Sequence, residues 1–186
     1  MPAPNRERVG APADSDEAPI FLVGFMGAGK STIGPILARA LGYDFFDLDD
    51  KIELRAGRSV GEIFAEQGES EFRRLESDEI DACAGMRRTV IALGGGAYVS
   101  AENRARLREI GRTIWIDCPF EVCFLRVAND PSRPLAGRPA EMKALLEERR
   151  PAYECADLIV RAGSDRPAKI VRAIMGLLQG QAPSDE

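Results

Sequence analysis

The stretch from Gly24 to Ser31, Gly-Phe-Met-Gly-Ala-Gly-Lys-Ser, contains the residue types that bind phosphate groups. Its first glycine and its closing Gly-Lys-Ser occupy the fixed positions of the G-x-x-x-x-G-K-[ST] pattern. Glycines allow turns with positive φ, so that successive backbone N–H groups converge on a phosphate at the start of a helix. Lys30 would bind the phosphates of a nucleotide and Ser31 would bind Mg²⁺. The nucleotide site that we expect also includes Gly27, Ala28, Gly29 and Thr32.

The segments on either side of this loop favour a phosphate site over a chance glycine turn. The short apolar run 20–23 before the loop predicts a buried parallel strand. After the loop, apolar residues recur at helical spacing as far as Leu41, and Gly42 is a helix stop signal. A strand, the loop and a helix in this order form the context that the motif requires.

A second informative stretch is acidic and contains Asp47, Asp49 and Asp50. In an extended chain Asp47 and Asp49 point to the same face. If 44–47 is a strand, they lie at the sheet edge where open α/β proteins bind ligands. One carboxylate there could hold Mg²⁺ through water, and the other could orient an attacking hydroxyl or accept its proton. An acidic helix N-terminus explains the pair equally well, and we assign Asp50 to such a terminus.

Three further segments carry groups suited to an anionic or hydroxylated ligand. The triplet Gly94–Gly96 follows a predicted strand and would expose backbone N–H groups at the ligand edge, although a simple turn is the alternative. Arg73 and Glu76 share a helical face, as an ordinary surface ion pair does. The polar loop 129–139 contains Arg133 and is either a lid that delivers a guanidinium to the phosphates or a solvated connection.

Composition limits the class of protein. The chain has 186 residues, 45% of them hydrophobic, which suits one domain with a full-sized core. We find neither a signal peptide nor a membrane-spanning run, and expect a cytoplasmic protein with reduced cysteines. The net charge of −5 gives no reason to expect a nucleic acid or an acidic membrane as partner. Because histidine is absent, proton transfer falls to a carboxylate, a thiol, a lysine or water.

Alternating patterns predict an α/β domain whose mainly parallel sheet is covered by helices on both faces. The predicted strands are 20–24, 44–47, 89–93, 113–117 and 157–160. The predicted helices are 30–41, 48–56, 71–85, 101–110, 119–128, 140–153 and 166–179. Pro35 removes the N–H that would bond to the Ser31 carbonyl, which predicts a kink in the first helix.

The chain ends are expected to stay outside the folded domain, which we assign to residues 19–180. Residues 1–18 contain almost no large apolar side chain, so they predict a mobile tail, with a regulatory segment as the alternative. Residues 181–186 are assigned as a disordered C-terminus.

In combination, these motifs resemble the shikimate kinase family, and the resemblance runs from about Ile20 to Leu178. Each motif alone is shared with other P-loop kinases, whereas the ordered set is not. The segments that carry it are Gly24–Ser31, Asp47-Leu48-Asp49, Gly68-Glu69, Phe72-Arg73 with Glu76, Gly94–Ala97, Arg133-Pro134-Leu135, and Arg149 before Pro151-Ala152-Tyr153. The resemblance implies a three-layer P-loop kinase fold with sheet order 2-3-1-4-5. It also implies a substrate-binding subdomain near 48–77 and a lid near 129–140.

The resemblance further implies that ATP and Mg²⁺ take part in the reaction. Lys30 and Ser31 would bind the ATP phosphates and the metal, and Asp47 would assist the metal through water. Arg133 would be the lid arginine, and Arg126 resembles the arginine that packs on adenine. The lid departs from the family pattern at Ala136, where a second leucine is usual.

On the acceptor side, the resemblance implies phosphorylation of shikimate on its 3-hydroxyl. Asp49 would hold the reacting hydroxyl, so the implied catalytic residues are Asp49, Lys30 and Arg133. Arg73 and Arg149 would grip the shikimate carboxylate, while Gly94, Gly95 and Gly96 would bind ring hydroxyls through their backbone. We expect a monomer whose partners are ATP and shikimate.

Two other functions use the same phosphate loop. A kinase of another small polyol acid, such as gluconate, is the closer one, and the Asp47/Asp49 pair and the glycine triplet argue against it. A nucleotide-dependent switch or ATPase would place an Asp at the end of its third strand, where this chain has Gly94. A GTPase would also carry an Asn-Lys-x-Asp base reader, which the sequence lacks.

Overall fold

The computed structural model describes residues 17–128 and 137–180. In these residues five parallel strands form one sheet of order β2-β3-β1-β4-β5, which confirms the predicted sheet. The strands are β1 (Ile20–Val23), β2 (Asp44–Asp47), β3 (Thr89–Ala92), β4 (Arg112–Asp117) and β5 (Leu158–Arg161).

Seven helices occur in the described residues and connect the strands. They are α1 (Lys30–Leu41), α2 (Leu48–Ala56), α3 (Val60–Ala82), α4 (Ala101–Ile110), α5 (Phe120–Val127), α6 (Pro139–Tyr153) and α7 (Pro167–Leu178). A short 3₁₀ turn, Ala97–Val99, precedes α4. Apart from α3, every predicted helix and strand begins and ends within about one residue of its observed position.

The helix α3 begins at Val60, whereas the sequence predicted a start at residue 71. A capping box starts the helix, because the Ser59 side chain accepts from the Glu62 N–H and the Glu62 carboxylate accepts from the Ser59 N–H. Two glycines conceal this helix in the sequence, since glycine has low helix propensity. One of them, Gly68, has φ 81° and ψ 171°, so α3 consists of two helical segments joined at that residue.

The helix α1 is continuous from Lys30 to Leu41 with Pro35 inside it, and the kink expected at that proline stays a prediction. Proline leaves the Ser31 carbonyl without its helical donor. Ser31 is exposed, so water can supply the missing hydrogen bond.

The register of the sheet aligns the carboxyl ends of its first three strands. Leu22 of β1 and Asp47 of β2 both pair with Ala92 of β3. The central strands β1 and β3 are buried along their whole length, as strands covered on both faces must be. The loops that follow β1, β2 and β3 therefore meet at one edge of the sheet, directly above the core.

Glu17, the first described residue, and Pro19 both bond to the domain. The Glu17 carbonyl accepts from the Arg88 N–H at 2.8 Å, and the Pro19 carbonyl accepts from the Arg112 N–H at 3.0 Å. Residues 1–16, 129–136 and 181–186 lie outside the described residues, so the predicted tails and lid stay predictions. Among the helices within 17–128 and 137–180, none is long and apolar enough to cross a membrane.

Close contact between α1 and β2 depends on Gly34, because a Cβ added there would overlap the Phe45 ring. We expect Gly34→Ala to lower the free energy of unfolding by about 1–3 kcal/mol, the usual range for overpacking. The matched control is Gly61→Ala in α3, where the nearest atom is 4.0 Å from the added Cβ. Because alanine has a higher helix propensity than glycine, we expect the free energy of unfolding of this control to stay the same or to rise by up to about 1 kcal/mol. Urea denaturation of both variants measures this, and equal stabilities would contradict the prediction.

Candidate active site

The phosphate loop connects β1 to α1 and folds through glycines with positive φ: Gly24 (142°), Gly27 (77°) and Gly29 (102°). At Gly27 a Cβ would lie 2.5 Å from the Cys123 carbonyl oxygen, so the loop packs directly on α5. The Lys30 ammonium donates to the carbonyls of Gly24 at 2.8 Å and Phe25 at 3.1 Å. The lysine is thus held over the loop to which it belongs, where a phosphate would meet it.

Two other predicted residues, Ala28 and Thr32, lie where the loop leads into α1. The Ala28 N–H donates to the Phe25 carbonyl at 3.2 Å, and the Thr32 N–H donates to the Gly29 carbonyl at 3.1 Å. Ala28 is buried, whereas Thr32 is exposed. The two residues therefore belong to the turn from loop to helix that the motif predicts.

Asp47 connects the phosphate loop to the acidic stretch. Its Oδ2 accepts from the Ser31 hydroxyl at 2.7 Å, and its Oδ1 accepts from the Asp49 N–H at 3.1 Å, which caps α2. The two interpretations left open by the sequence are therefore compatible, because one side chain both caps a helix and contacts the loop. Asp50, in the first turn of α2, occupies the helix N-terminal position assigned to it.

The glycine triplet is more than a simple turn, and its first member contacts two carboxylates. A Cβ at Gly94 would lie 2.7 Å from Asp49 Oδ1 and 3.0 Å from Glu76 Oε1. Asp49 is in the first turn of α2 and Glu76 is in α3. The end of β3 thus approaches two helices at a distance that only glycine allows.

The next two glycines contact arginines in the same way. A Cβ at Gly95 would lie 3.4 Å from a guanidinium nitrogen of Arg149, and a Cβ at Gly96 would overlap the Arg73 guanidinium. Consequently α2, α3 and α6 each direct a charged side chain to the same three residues. The structure brings together Asp49, Arg73 and Arg149, which the family resemblance implied as one site.

Arg73 and Glu76 do form an ion pair, but it is partly buried and not the surface pair that their spacing alone suggested. The Arg73 guanidinium bonds to Glu76 Oε2 at 2.8 Å and to Glu69 Oε1 at 3.0 Å. The Glu76 side chain is only 1% exposed. Periodicity shows that two residues share a helix face but not that other elements cover that face, so the burial of Glu76 was missed.

Burial, with a smaller contribution from the neighbouring Asp49 charge, raises the pKa of Glu76 to about 7, against the opposing charges of Arg73 and Arg149. Removal from water outweighs the ion pair here because the carboxyl is almost fully enclosed. Glu76 therefore gains and loses a proton close to neutral pH.

Arg126 lies behind the phosphate loop. One terminal nitrogen donates to the carbonyls of Gly27 at 3.0 Å and Ala28 at 3.3 Å, and the other donates to the Gly163 carbonyl at 3.2 Å. Stacking of its guanidinium on adenine remains a prediction.

A hydrogen bond from Cys123 and the Arg126 charge lower the pKa of Cys118 to about 7, against the effect of burial.

An open cleft of about 710 Å³ runs from α3 to α6 beside the triplet. Arg73, Arg149 and Gly96 line it, so their polar groups face space that a small molecule could occupy. The remaining lining residues are Glu69, Ser70, Arg74, Ser77, Val99, Ser100, Glu102, Asn103, Leu145 and Glu148. Arg133 lies outside the described residues.

The fold and this site define a class of protein. A parallel sheet of order 2-3-1-4-5, with a phosphate-binding loop after its first strand and a charged cleft beside the glycine triplet, is a P-loop kinase fold. A family model described as "Shikimate kinase" matches residues 26–179. The chain belongs to the shikimate kinase family.

Relatives of known sequence agree with this assignment. The shikimate kinase of Persephonella marina is 41% identical over 161 residues, which cover 86% of this chain and 98% of the relative. That of Bordetella pertussis is 44% identical over 167 residues, which cover 88% of this chain and 79% of the relative.

Solved structures extend the comparison. The shikimate kinase of Acinetobacter baumannii in complex with shikimate superposes with a TM-score of 0.84 at 33% identity, over 90% of this chain and 96% of that one. A gluconokinase from Sinorhizobium meliloti gives a TM-score of 0.57 at 18% identity, over 88% of this chain and 92% of that one. The gluconokinase therefore shares the fold alone.

The raised pKa of Glu76 predicts a pH-dependent stability. A carboxyl that holds its proton more tightly when folded stabilises the protein below its unfolded pKa, and this stability is lost as the pH rises through the folded value. We expect the wild type to lose up to about 3 kcal/mol relative to Glu76→Gln between pH 4.5 and 7.5. Urea denaturation of both proteins across this range measures the difference. A constant difference would show that Glu76 does not titrate there.

Proposed function

We propose that this chain transfers the γ-phosphoryl group of ATP to the 3-hydroxyl of shikimate. The observation that carries the proposal is the convergence of Asp49, Arg73 and Arg149 on the glycine triplet beside the phosphate loop. A Cβ at Gly95 would lie 3.7 Å from the Gly24 carbonyl oxygen and 3.7 Å from the Met26 nitrogen. Family membership supports the same reaction. The enzyme we propose is a cytoplasmic monomer whose partners are these two small molecules.

On the nucleotide side, the N–H groups of the loop and the start of α1 would bind the phosphates. Lys30 now donates to two carbonyls of that loop, so it needs little movement to exchange them for phosphate oxygens. Phosphoryl transfer depends on positioning and on neutralising charge rather than on a strong base. Lys30 would supply one positive charge, and Arg133 of the predicted lid would supply a second.

On the acceptor side, Arg73 and Arg149 would bind the carboxylate of shikimate. A guanidinium can bind a carboxylate with two parallel hydrogen bonds, which fixes orientation as well as position. Glu69 and Glu76 already orient the Arg73 side chain. The triplet and Asp49 would then contact the ring hydroxyls, with Asp49 accepting a hydrogen bond from the one that attacks.

Mg²⁺ fits the residues between the loop and α2. Ser31 Oγ and Asp47 Oδ2 are 2.7 Å apart and are the hard oxygen donors that this ion prefers. Within the described ranges, no group of three or more His, Cys, Asp or Glu residues could hold a metal. Ser31 would hold the ion directly and Asp47 through water, and phosphates and further waters would complete its shell. Bound there, the ion would neutralise phosphate charge.

The proposed reaction predicts ADP release that depends on shikimate. In a coupled assay with ATP and Mg²⁺, shikimate should stimulate ADP formation well above the acceptor-free rate, whereas gluconate should not. Proton and phosphorus NMR of the product should locate the phosphate on the 3-hydroxyl. Folded, ATP-binding protein that shikimate does not stimulate would contradict the proposal, and stimulation by gluconate alone would favour the other polyol kinase.

The carboxylate role of Arg149 has a matched control in its neighbour. Arg149→Ala removes a charge-assisted hydrogen bond and should weaken shikimate binding about ten- to a hundredfold, with ATP affinity nearly unchanged. Arg150→Ala removes the same charge from α6, but Arg150 pairs with Asp117 at 3.5 Å and lies over the Trp115 ring. Calorimetric titration of shikimate should therefore separate the two variants. Equal affinities would mean that the carboxylate is held elsewhere.

A further inference from the structure

Tyr153, the last residue of α6, connects that helix to the glycine triplet. Its side chain is fully buried, and its hydroxyl donates to the Gly95 carbonyl at 2.6 Å. The ring packs against Trp115 of β4 with the centroids 6.0 Å apart. The side chain is therefore fixed at two points, its ring by Trp115 in the core and its hydroxyl by the glycine triplet.

The Gly95 carbonyl differs from its two neighbours in the triplet, whose carbonyls accept hydrogen bonds from the backbone of the turn that follows. The Gly94 carbonyl accepts from the Ala97 N–H at 3.1 Å, and the Gly96 carbonyl accepts from the Val99 N–H at 3.0 Å. Both of these bonds are local to the turn. The carbonyl between them accepts from the Tyr153 hydroxyl, which is 58 positions away in sequence.

Holding this carbonyl also orients the next amide. A trans peptide is planar, and its carbonyl and N–H point in opposite directions. The bond from Tyr153 therefore turns the Gly96 N–H away from the hydroxyl. Gly96 lines the cleft, so the orientation of this peptide affects the wall that an acceptor would touch.

The same helix carries Arg149, one turn before Tyr153. A guanidinium nitrogen of Arg149 is 3.4 Å from the position of a Cβ on Gly95. Burial raises the pKa of Tyr153 to about 12, against the opposing charge of Arg149, so the hydroxyl remains a donor at neutral pH. Two side chains of α6 thus meet the triplet at one residue.

We propose that Tyr153 is a positioning residue for the acceptor substrate. Its hydroxyl fixes the Gly95–Gly96 peptide relative to Arg149, and thereby holds a backbone donor and a carboxylate-binding guanidinium in one geometry. The inference rests on the proposed function, because it assigns this geometry to shikimate. It extends that function by giving α6 a second role besides supplying an arginine.

The test is Tyr153→Phe, which removes the hydroxyl and keeps the ring against Trp115. The matched control is Tyr98→Phe, since Tyr98 is equally buried and its hydroxyl bonds to Thr113 of β4 at 3.2 Å. We expect Tyr153→Phe to raise the KM for shikimate about three- to tenfold, the range for one lost hydrogen bond. The KM for ATP should stay unchanged in both variants, and their melting temperatures should fall by similar amounts.

A second measurement needs no activity. In ¹H–¹⁵N spectra of the unliganded protein, Tyr153→Phe should shift the Gly96 amide more than Tyr98→Phe does. An unmoved Gly96 amide, or an equal rise in KM for shikimate in both variants, would overturn the proposal. Tyr153→Phe with the wild-type KM would overturn it too, while the proposed function would stand. Wild-type protein that neither binds nor phosphorylates shikimate would instead overturn the proposed function.

Discussion

The site depends on the absence of three side chains. At Gly94, Gly95 and Gly96 the volume that a Cβ would fill is occupied or bordered by charged groups from α2, α3 and α6. Those helices can approach the end of β3 only because nothing projects from it. The closest approaches at Gly94 and Gly96 would make even an alanine displace Asp49 or Arg73. The geometry of the cleft beside the triplet follows from this packing.

Charges buried at such close range must be arranged to compensate one another. Arg73 bonds to Glu69 and to the enclosed Glu76, whose pKa near 7 reflects the cost of removing a carboxylate from water. Glu76 and Asp49 both approach Gly94, so the site places two carboxyl groups beside its two arginines. This balance holds Arg73 in one orientation before any ligand arrives. The site is thus preorganised by electrostatic contacts within the protein.

Local patterns in the sequence predicted most of the fold. The phosphate loop, the five strands and six of the seven helices of the described ranges follow from glycine positions and apolar periodicity, whereas the order of the strands came from the family resemblance. The start of α3 was missed because Gly61 and Gly68 weaken its pattern, although Ser59 and Glu62 carried a capping signal. The burial of Glu76 and the bond from Tyr153 to Gly95 could not be predicted, since each depends on elements far apart in the chain. Arg133 stays a prediction.

The glycine triplet also bears on how the protein could evolve resistance to an inhibitor. A compound seated against Gly94–Gly96 would contact backbone atoms, which mutation cannot exchange. Codon changes that replace a glycine add at least a Cβ, and at these positions it would press on Asp49, Arg149 or Arg73. A substitution that repels the compound would therefore disturb the groups proposed to hold the natural acceptor. Resistance through this surface would come at the expense of turnover.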